Sequence, residues 1–545
     1  MLQFIFGRSG FGKTYTARKI LATKSRTGCD KLMLLVPEQY SFENEKDMIN
    51  ILGPKASVVL ETVSFTRLCD IVSRKVGGFA GIRLNDGGRN LIMSLAINAV
   101  QPKLKLYRKS AKKTEFIKLM TEALKEFRMC NISTEDLESC SHINMNDPIL
   151  GEKLKETSLI LSAYDAMIKG NYIDPIDDLT KLASILTTHN VFDGYTFVID
   201  GFFGFTAQEM KVLECIISQA SECYITMCTD KKLLASEHLT IYESVNKTVR
   251  TIEKFAKSHS IIIEDPIELK KSYRFCSNDL VALEKNLYTP KKQEYSGTVE
   301  NITIYSANDI YDECHFIART IKELIMTQPV RYRDFVIIAR DLGQYDSIIE
   351  SILQKYSIPY FIDTVHDICT KPLIRFILTA FDIITSGFKT EYILRLLKTN
   401  LLTLNFEDIS LLENYVLLWD ITGPDWLTDF TSNPNGFCID KNPDETKMQL
   451  SLINNIRQSI ITPLLNFNEK IKNSTGNAIS KAIYELLNIM QISDTIMMSS
   501  TELSNGEDLR LWDMIMDILD QMNLVLKNQY LSLKQYKDLL ELMIK

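Results

Sequence analysis

The stretch Gly7-Arg8-Ser9-Gly10-Phe11-Gly12-Lys13-Thr14 confines this chain more than any other. Its spacing, a glycine, four residues and then Gly-Lys-Thr, is that of a phosphate-binding P-loop, and the pattern carries weight only between a strand and a helix. Both are expected here. Leu2-Gln3-Phe4-Ile5-Phe6 is short and apolar enough for a buried strand, and Tyr15 to Leu21 reads as the first turns of a helix. In such a loop the glycines let backbone N–H groups close around phosphate oxygens at a helix N-terminus. Lys13 would then reach the β- and γ-phosphates of ATP, and the Thr14 hydroxyl would help to hold Mg²⁺.

Bulk properties set the frame. A chain of 545 residues exceeds one hydrophobic core, so three or four domains are expected. Hydrophobic content of 45% and charged content of 24% are those of an ordinary globular protein. The net charge of -7 excludes a global basic field, so any nucleic-acid contact must be a local groove. Eleven cysteines without a C-x-x-C pair, no signal peptide and no run of eighteen apolar residues point to a reduced, cytoplasmic protein without a membrane span. His142, His189, His238, His259, His315 and His366 are scattered and form no H-E-x-x-H, leaving Mg²⁺ on nucleotide as the one expected metal.

Along the chain, Lys31 to Val36 is a second strand candidate, followed by Pro37-Glu38-Gln39-Tyr40-Ser41-Phe42. Ser57 to Leu60 is a third, leading into Thr62-Val63-Ser64-Phe65-Thr66-Arg67-Leu68. In open parallel sheets ligands sit at the carboxyl ends of strands, so both loops should face the P-loop crevice. Gln39, Tyr40, Ser64, Phe65 and Thr66 are the candidates to touch a single strand of nucleic acid; helix capping by Ser64 explains the second loop equally well. Asn90 to about Leu186 is helical throughout, with Lys103, Lys105, Arg108, Lys109, Lys112 and Lys113 near its start. Such a run reads first as a solvated helix face and second as a phosphate-tracking one.

Tyr195 to Asp200 is an apolar strand closing on an acid, the Walker B form, with Asp200 placed to bind Mg²⁺ through water. Gly201 stands where hydrolytic enzymes of the helicase type carry a glutamate. Gln208 or Glu209 is a substitute for it, although the first turn of a helix is the plainer assignment. Glu222 to Cys228 is a further strand, and no γ-phosphate-sensing glutamine follows it. Tyr288 to Asn301 is a linker candidate, and a second α/β unit is expected beyond it. Its strands would be Ile302–Tyr305, Phe335–Ala339 and Ile358–Ile362, with helices over Asp309–Met326 and Tyr345–Tyr356. Arg340 would end the middle strand, within reach of a triphosphate in the first unit or else paired with Asp341 at the surface. Pro372 to Lys545 is almost wholly helical, and its last helix has no stop signal, which suggests a chain cut inside a larger protein.

Two α/β units, each followed by a helical block, resemble a superfamily 1 helicase of UvrD type. The stretches Val36-Pro37-Glu38-Gln39-Tyr40-Ser41-Phe42-Glu43, Ile199-Asp200-Gly201-Phe202 and Arg331-Tyr332-Arg333-Asp334 are closer to the AddB family, one of the two chains of bacterial AddAB helicase–nucleases. So are Ile358 to Asp363, Leu396 to Thr399 and Glu413 to Tyr415. The resemblance implies a P-loop NTPase fold with parallel sheets and large helical insertions. Residues 1–90 with 190–288 would form the first RecA-like domain and 91–189 a helical insertion. Residues 289–375 would begin a second, incomplete RecA-like domain, and 376–545 a truncated helical one. It also implies a heterodimer with an AddA-like subunit, contact with single-stranded and duplex-end DNA, and repair of double-strand breaks by homologous recombination, with hotspot recognition by the complete AddB chain.

By the same resemblance, Gly7, Arg8, Ser9, Gly10, Phe11, Gly12, Lys13 and Thr14 hold the nucleotide with Asp200, Arg340 takes the γ-phosphate, and Ser64-Phe65-Thr66 is a DNA-contacting motif. The family's nuclease domain and its four-cysteine iron–sulfur cluster are expected only in the full-length protein, since no strand-borne Asp with a following Glu-x-Lys metal set and no C-terminal cysteine cluster stands here. Gly201 suggests a degenerate helicase with no catalytic residue of its own. The alternatives are a working ATP-driven translocase and, less well matched, a P-loop small-molecule kinase.

Overall fold

The computed structural model describes residues 1–53, 56–77, 81–143, 147–234, 241–287, 293–363, 368–437, 443–499, 507–527 and 529–544. The beginning of the expected linker, residues 288–292, lies outside them, as do His238 and His366.

Among the described residues eight strands are present: β1 (Leu2–Phe6), β2 (Leu32–Leu35), β3 (Leu60–Val63), β4 (Ile82–Arg83), β5 (Tyr172–Ile173), β6 (Thr196–Ile199), β7 (Glu222–Met227) and β8 (Ile267–Glu268). Six form one sheet in the order β3-β2-β6-β7-β1-β8, every pair parallel. Parallel strands are covered on both faces, which is why β1, β2, β6 and β7 read as apolar runs without alternation. One face packs Phe4, Phe6, Met33, Leu35, Phe197 and Ile199 against the helices Phe65–Val76, Asp178–Thr188, Ala207–Gln219 and Glu243–Ser258. The other packs Ile5, Leu34 and Val198 against Ala17, Leu21 and Met48 of the helices Lys13–Arg26 and Ser41–Leu52. The α/β character expected of the first unit is therefore present.

The third strand is displaced from its expected position. Residues 56–59 form a helical turn, and Leu60–Val63 are the residues that pair with Leu32–Leu35. Val63, which closes that pairing opposite Leu35, is fully buried. Three further strands carry too little local pattern to be expected: the two-residue β8, and β4 and β5, which pair as a small separate sheet.

The helices after β4 and those after residue 372 share one hydrophobic core. Leu91, Ile97 and Leu161 of the first set lie in the same buried cluster as Phe381, Leu519, Tyr536 and Leu540 of the second. Two helical regions far apart in the chain thus pack as one body.

The second α/β unit differs from expectation. Its helices form, as Ile310–Thr327 with Asp309 as N-cap and as Ile348–Lys355. Its three strands do not: among the described residues no ladder hydrogen bond joins Ile302–Tyr305, Phe335–Ala339 and Ile358–Ile362. Some apolar burial remains, since Ile358 is buried and Phe335 and Ile362 pack on the two helices, while Ile304 and Phe361 are 93% and 90% exposed. A strand requires a backbone partner as well as an apolar face. A cavity of about 650 Å³, lined by Tyr332, Phe335, Leu353 and Ile358 among others, lies beside these segments. Among the described residues no helix is long and apolar enough to cross a membrane.

Candidate nucleotide site and DNA-facing edge

Because all six strands run the same way, their carboxyl ends open on one edge, and the loops after β1, β2, β3, β6 and β7 converge there. The loop after β1 has the form its glycines permit. Gly10 and Gly12 stand at φ 79° and 85°, in the left-handed region, and Gly12 ends the loop directly before the helix Lys13–Arg26. The Lys13 ammonium folds back across the loop and donates to the carbonyls of Gly7 (2.8 Å) and Arg8 (3.0 Å). Arg8 turns away, donating to the Glu284 carboxylate at 2.9 Å and to the Glu284 carbonyl at 2.9 Å. Burial pulls the Arg8 guanidinium down, but Tyr242 and Glu284 outweigh it and hold it above its ordinary value. It ties the loop to the helix Asn278–Asn286.

A segment with no motif of its own closes over the loop. After β8, the amides of Tyr273 and Arg274 donate to the Gly10 carbonyl at 2.9 and 3.3 Å. The Arg274 guanidinium reaches the Ser9 hydroxyl at 3.4 Å. The Tyr273 ring, 68% exposed, lies where a β-carbon on Gly12 would touch it at 3.6 Å. An exposed aromatic face and a guanidinium therefore flank the loop, the chemistry of a base platform and a phosphate ligand. Tyr-Arg in the segment beyond a two-residue strand has no local pattern by which to be found.

Asp200 follows β6 and is 4% exposed. Thr226 of β7 donates its hydroxyl to Asp200 Oδ1 at 2.6 Å, and no protein group donates to Oδ2 among the described residues. Asp200 and the Thr14 hydroxyl are hard oxygen donors, and no cluster of three or more His, Cys, Asp or Glu that would cage a metal occurs among the described residues. A single carboxylate with an open oxygen fits Mg²⁺, which keeps its waters and takes the rest of its shell from nucleotide phosphates. Gly201 stands at φ 86°, and a β-carbon there would meet Pro37 at 3.3 Å, so the position suits glycine and strains a glutamate. Neither proposed substitute is available. Gln208 is buried and donates to the Ile176 carbonyl and the Thr180 hydroxyl, and Glu209 closes a capping box with Thr206.

The expected DNA-contacting residues divide. Ser64 is buried and accepts from the Arg67 amide at 3.3 Å as an N-cap, and Phe65 is buried edge-on against Phe202 and Phe205 at centroid distances of 5.6 and 6.2 Å. They hold the loop from beneath. Gln39, Tyr40 and Thr66 are exposed at the edge. They are joined there by Phe42 and Phe203, 76% and 70% exposed, two aromatics that no motif marks as contacts. Arg340 is exposed beside the cavity wall formed by Glu313, Ile338 and Tyr345, with no hydrogen bond or ion pair to the glycine loop among the described residues.

Residues 4–284, which contain the sheet apart from the first two residues of β1 and include the glycine loop and Asp200, match the family described as ADDB, N-terminal. The chain belongs to the AddB family. It is similar to the B subunit of the ATP-dependent helicase/deoxyribonuclease of Clostridium kluyveri, 32% identical over 99% of this chain and 48% of the relative. Proteins of the same name from Caldanaerobacter subterraneus (30% identical, 99% and 48%) and Clostridium acetobutylicum (31%, 100% and 48%) align alike. The chain thus spans about half the length of the curated relatives it matches.

Proposed function

We propose that this AddB-family chain is the nucleotide-clamping, DNA-threading part of an ATP-dependent helicase/deoxyribonuclease, acting in the cytoplasm with an AddA-like partner in the repair of double-strand breaks. ATP sits on the P-loop. Lys13 exchanges a loop carbonyl for phosphate oxygens, Thr14 and Asp200 hold Mg²⁺, Arg274 reaches a phosphate and Tyr273 covers the base. Mg²⁺ supplies charge neutralisation of the phosphates when bound. A single strand crosses the exposed edge at Gln39, Tyr40, Phe42, Thr66 and Phe203, its bases stacked on the aromatic faces. Residues 1–90 and 190–288 act as a UvrD-type nucleotide domain. Residues 91–189 and 376–545 are its helical blocks, and 289–375 is the start of a second α/β domain whose Arg340 completes the site from across the cleft.

One observation carries the clamp rather than the motor. The position after Asp200 has a left-handed backbone hard against Pro37, and Glu209, the carboxylate expected to substitute, is held in a capping box with Thr206. General-base positioning contributes roughly 10²–10⁴-fold to such reactions. The purified chain should bind Mg·ATP, lose that binding on Lys13→Ala, and hydrolyse ATP feebly with or without single-stranded DNA. Robust single-strand-stimulated hydrolysis that Lys13→Ala abolishes would favour the translocase instead. Association with an AddA-like subunit should be tighter than self-association, and a stable homodimer indifferent to that partner would count against the reading.

A further inference from the structure

The lysine-rich run near the start of the helical region is not a helix face. Residues 103–113 form a loop of short turns between the helices Asp86–Val100 and Thr114–Met129. It carries six cations and no acid, on a chain whose net charge is -7. Lys103, Lys105, Arg108, Lys109 and Lys113 are exposed. Lys105 pairs with Glu152 at 3.4 Å, whereas Lys103, Arg108, Lys109 and Lys113 have no ion-pair partner among the described residues.

The loop is held in shape at some cost. Glu156, 3% exposed, accepts the amides of Lys105 (2.5 Å), Leu106 (2.9 Å) and Tyr107 (2.9 Å), while Leu104 and Ala111 are buried in the core. A buried carboxylate without a cationic partner is expensive unless such donors surround it. Here that device fixes the backbone of a segment whose side chains mostly point outward. Tyr107 is turned inward onto Phe116, with ring centroids 5.0 Å apart. The surface therefore offers fixed positive charge without a stacking platform. Single-strand sites combine both, whereas duplex contacts need the charge alone.

Resting on the reading of the chain as part of a DNA-processing enzyme, we propose that the loop 103–113, braced by Glu156, is a docking surface for the sugar–phosphate backbone of duplex DNA, separate from the edge that takes a single strand. Arg108, Lys109 and Lys113 neutralise phosphates, and Glu156 acts as a positioning residue that sets where they stand.

The test is fluorescence anisotropy of the 545-residue chain with a labelled blunt duplex and with a labelled oligothymidine, each over a salt titration. The triple variant Arg108→Gln, Lys109→Gln, Lys113→Gln should weaken duplex binding about tenfold or more and flatten its salt slope by up to about 2.7, roughly 0.9 for each phosphate left without its cation. Oligothymidine binding should stay within about twofold. The charge-matched control Lys247→Gln, Lys254→Gln, Lys257→Gln, on the exposed side of another helix, should change neither. Glu156→Gln is the sharper arm. It makes the protein less negative, which on charge alone strengthens DNA binding, yet it should weaken duplex binding because the loop is no longer held. Unchanged duplex affinity and slope in the triple variant, or stronger binding by Glu156→Gln, would overturn the proposal. An equal loss for both DNAs would overturn it too, by assigning the loop to the single strand. No binding of either DNA by the unaltered chain would remove the DNA reading itself.

Discussion

Arg274 lies so close to Gly10 that a β-carbon on the glycine would meet the Arg274 β-carbon at 2.6 Å. The loop and the segment covering it are thus a matched pair, joined by the Tyr273 and Arg274 amides on the Gly10 carbonyl. Gly10→Ala should injure the site twice. A left-handed alanine costs roughly 1–2 kcal/mol, and the covering segment must also move outward. We expect Mg·ATP affinity to fall at least about tenfold, equivalent to about 1.4 kcal/mol, in titration calorimetry. Tyr273→Ala should weaken binding while leaving the melting temperature nearly unchanged, because its ring is exposed. A Gly10→Ala protein with undiminished nucleotide affinity would show that the covering segment does not form part of the site.

Gly201→Glu supplies the carboxylate that hydrolytic enzymes of the helicase type carry after the Walker B acid. It should nevertheless fail to create an ATPase. At φ 86° with Pro37 at 3.3 Å, the new side chain is accommodated only by displacing the Pro37 loop, at a cost of roughly 1–2 kcal/mol for the backbone alone. A lower denaturation midpoint with no gain in phosphate release is expected. A gain of about two orders of magnitude in turnover, the lower end of what general-base positioning contributes, would mean that the loop yields and that the missing carboxylate was the one defect.

The parts legible in the sequence are those whose signal is local. β1, the glycine loop after it and the helix that follows declare themselves within a single short stretch, and Asp200 closes an apolar run, so both belong where the sheet opens. Signals that depend on distant partners mislead. Phe65 reads as a surface aromatic until Phe202 and Phe205, from another crossover, bury it. The runs at 302–305, 335–339 and 358–362 are short and apolar as strands are, but an apolar run specifies burial and not a ladder partner. Tyr273 and Arg274 acquire meaning only because β8 lies beside β1, which no spacing in the chain announces. The union of the two helical blocks is likewise invisible to periodicity, which shows that a helix has an apolar face without saying what covers it.

Alkaline pH should destabilise the sheet domain through its buried thiols. Burial pushes Cys69 and Cys223 up to about 12 from an ordinary value of 9.0. Between those values the unfolded chain has lost the thiol proton and the folded chain keeps it, so the folded state binds more protons and stability falls as pH rises. Their contribution is fully present below about pH 9. Above it, the decline should approach about 1.4 kcal/mol per pH unit for each thiol. Urea midpoints measured at rising pH across that window test it, and Cys69→Val should lessen the slope. A slope indifferent to that substitution would mean that the Cys69 thiol titrates as freely folded as unfolded.

The deepest polar contact in the helical body joins it to the sheet. Asp174, 1% exposed, accepts from Arg89 Nη2 at 2.9 Å, from the Tyr164 hydroxyl at 2.6 Å and from the Ile176 amide at 3.2 Å. Arg89 and Tyr164 belong to the helices Asp86–Val100 and Pro148–Ile168, whereas Ile176 begins the turn into the helix Asp178–Thr188 that packs beneath the sheet. Asp174→Asn keeps the volume and leaves the buried Arg89 with only Asp86, which is largely exposed. Breaking one side of a buried pair costs about 3–5 kcal/mol, so a large fall in the denaturation midpoint is expected. Arg89→Met added to Asp174→Asn should recover part of it, because an uncharged pair no longer requires compensation. If Asp174→Asn alone costs under about 1 kcal/mol, well below that range, water reaches Arg89 and the contact does not couple the two bodies. If the double variant is worse than the single, the loss is one of packing and not of charge.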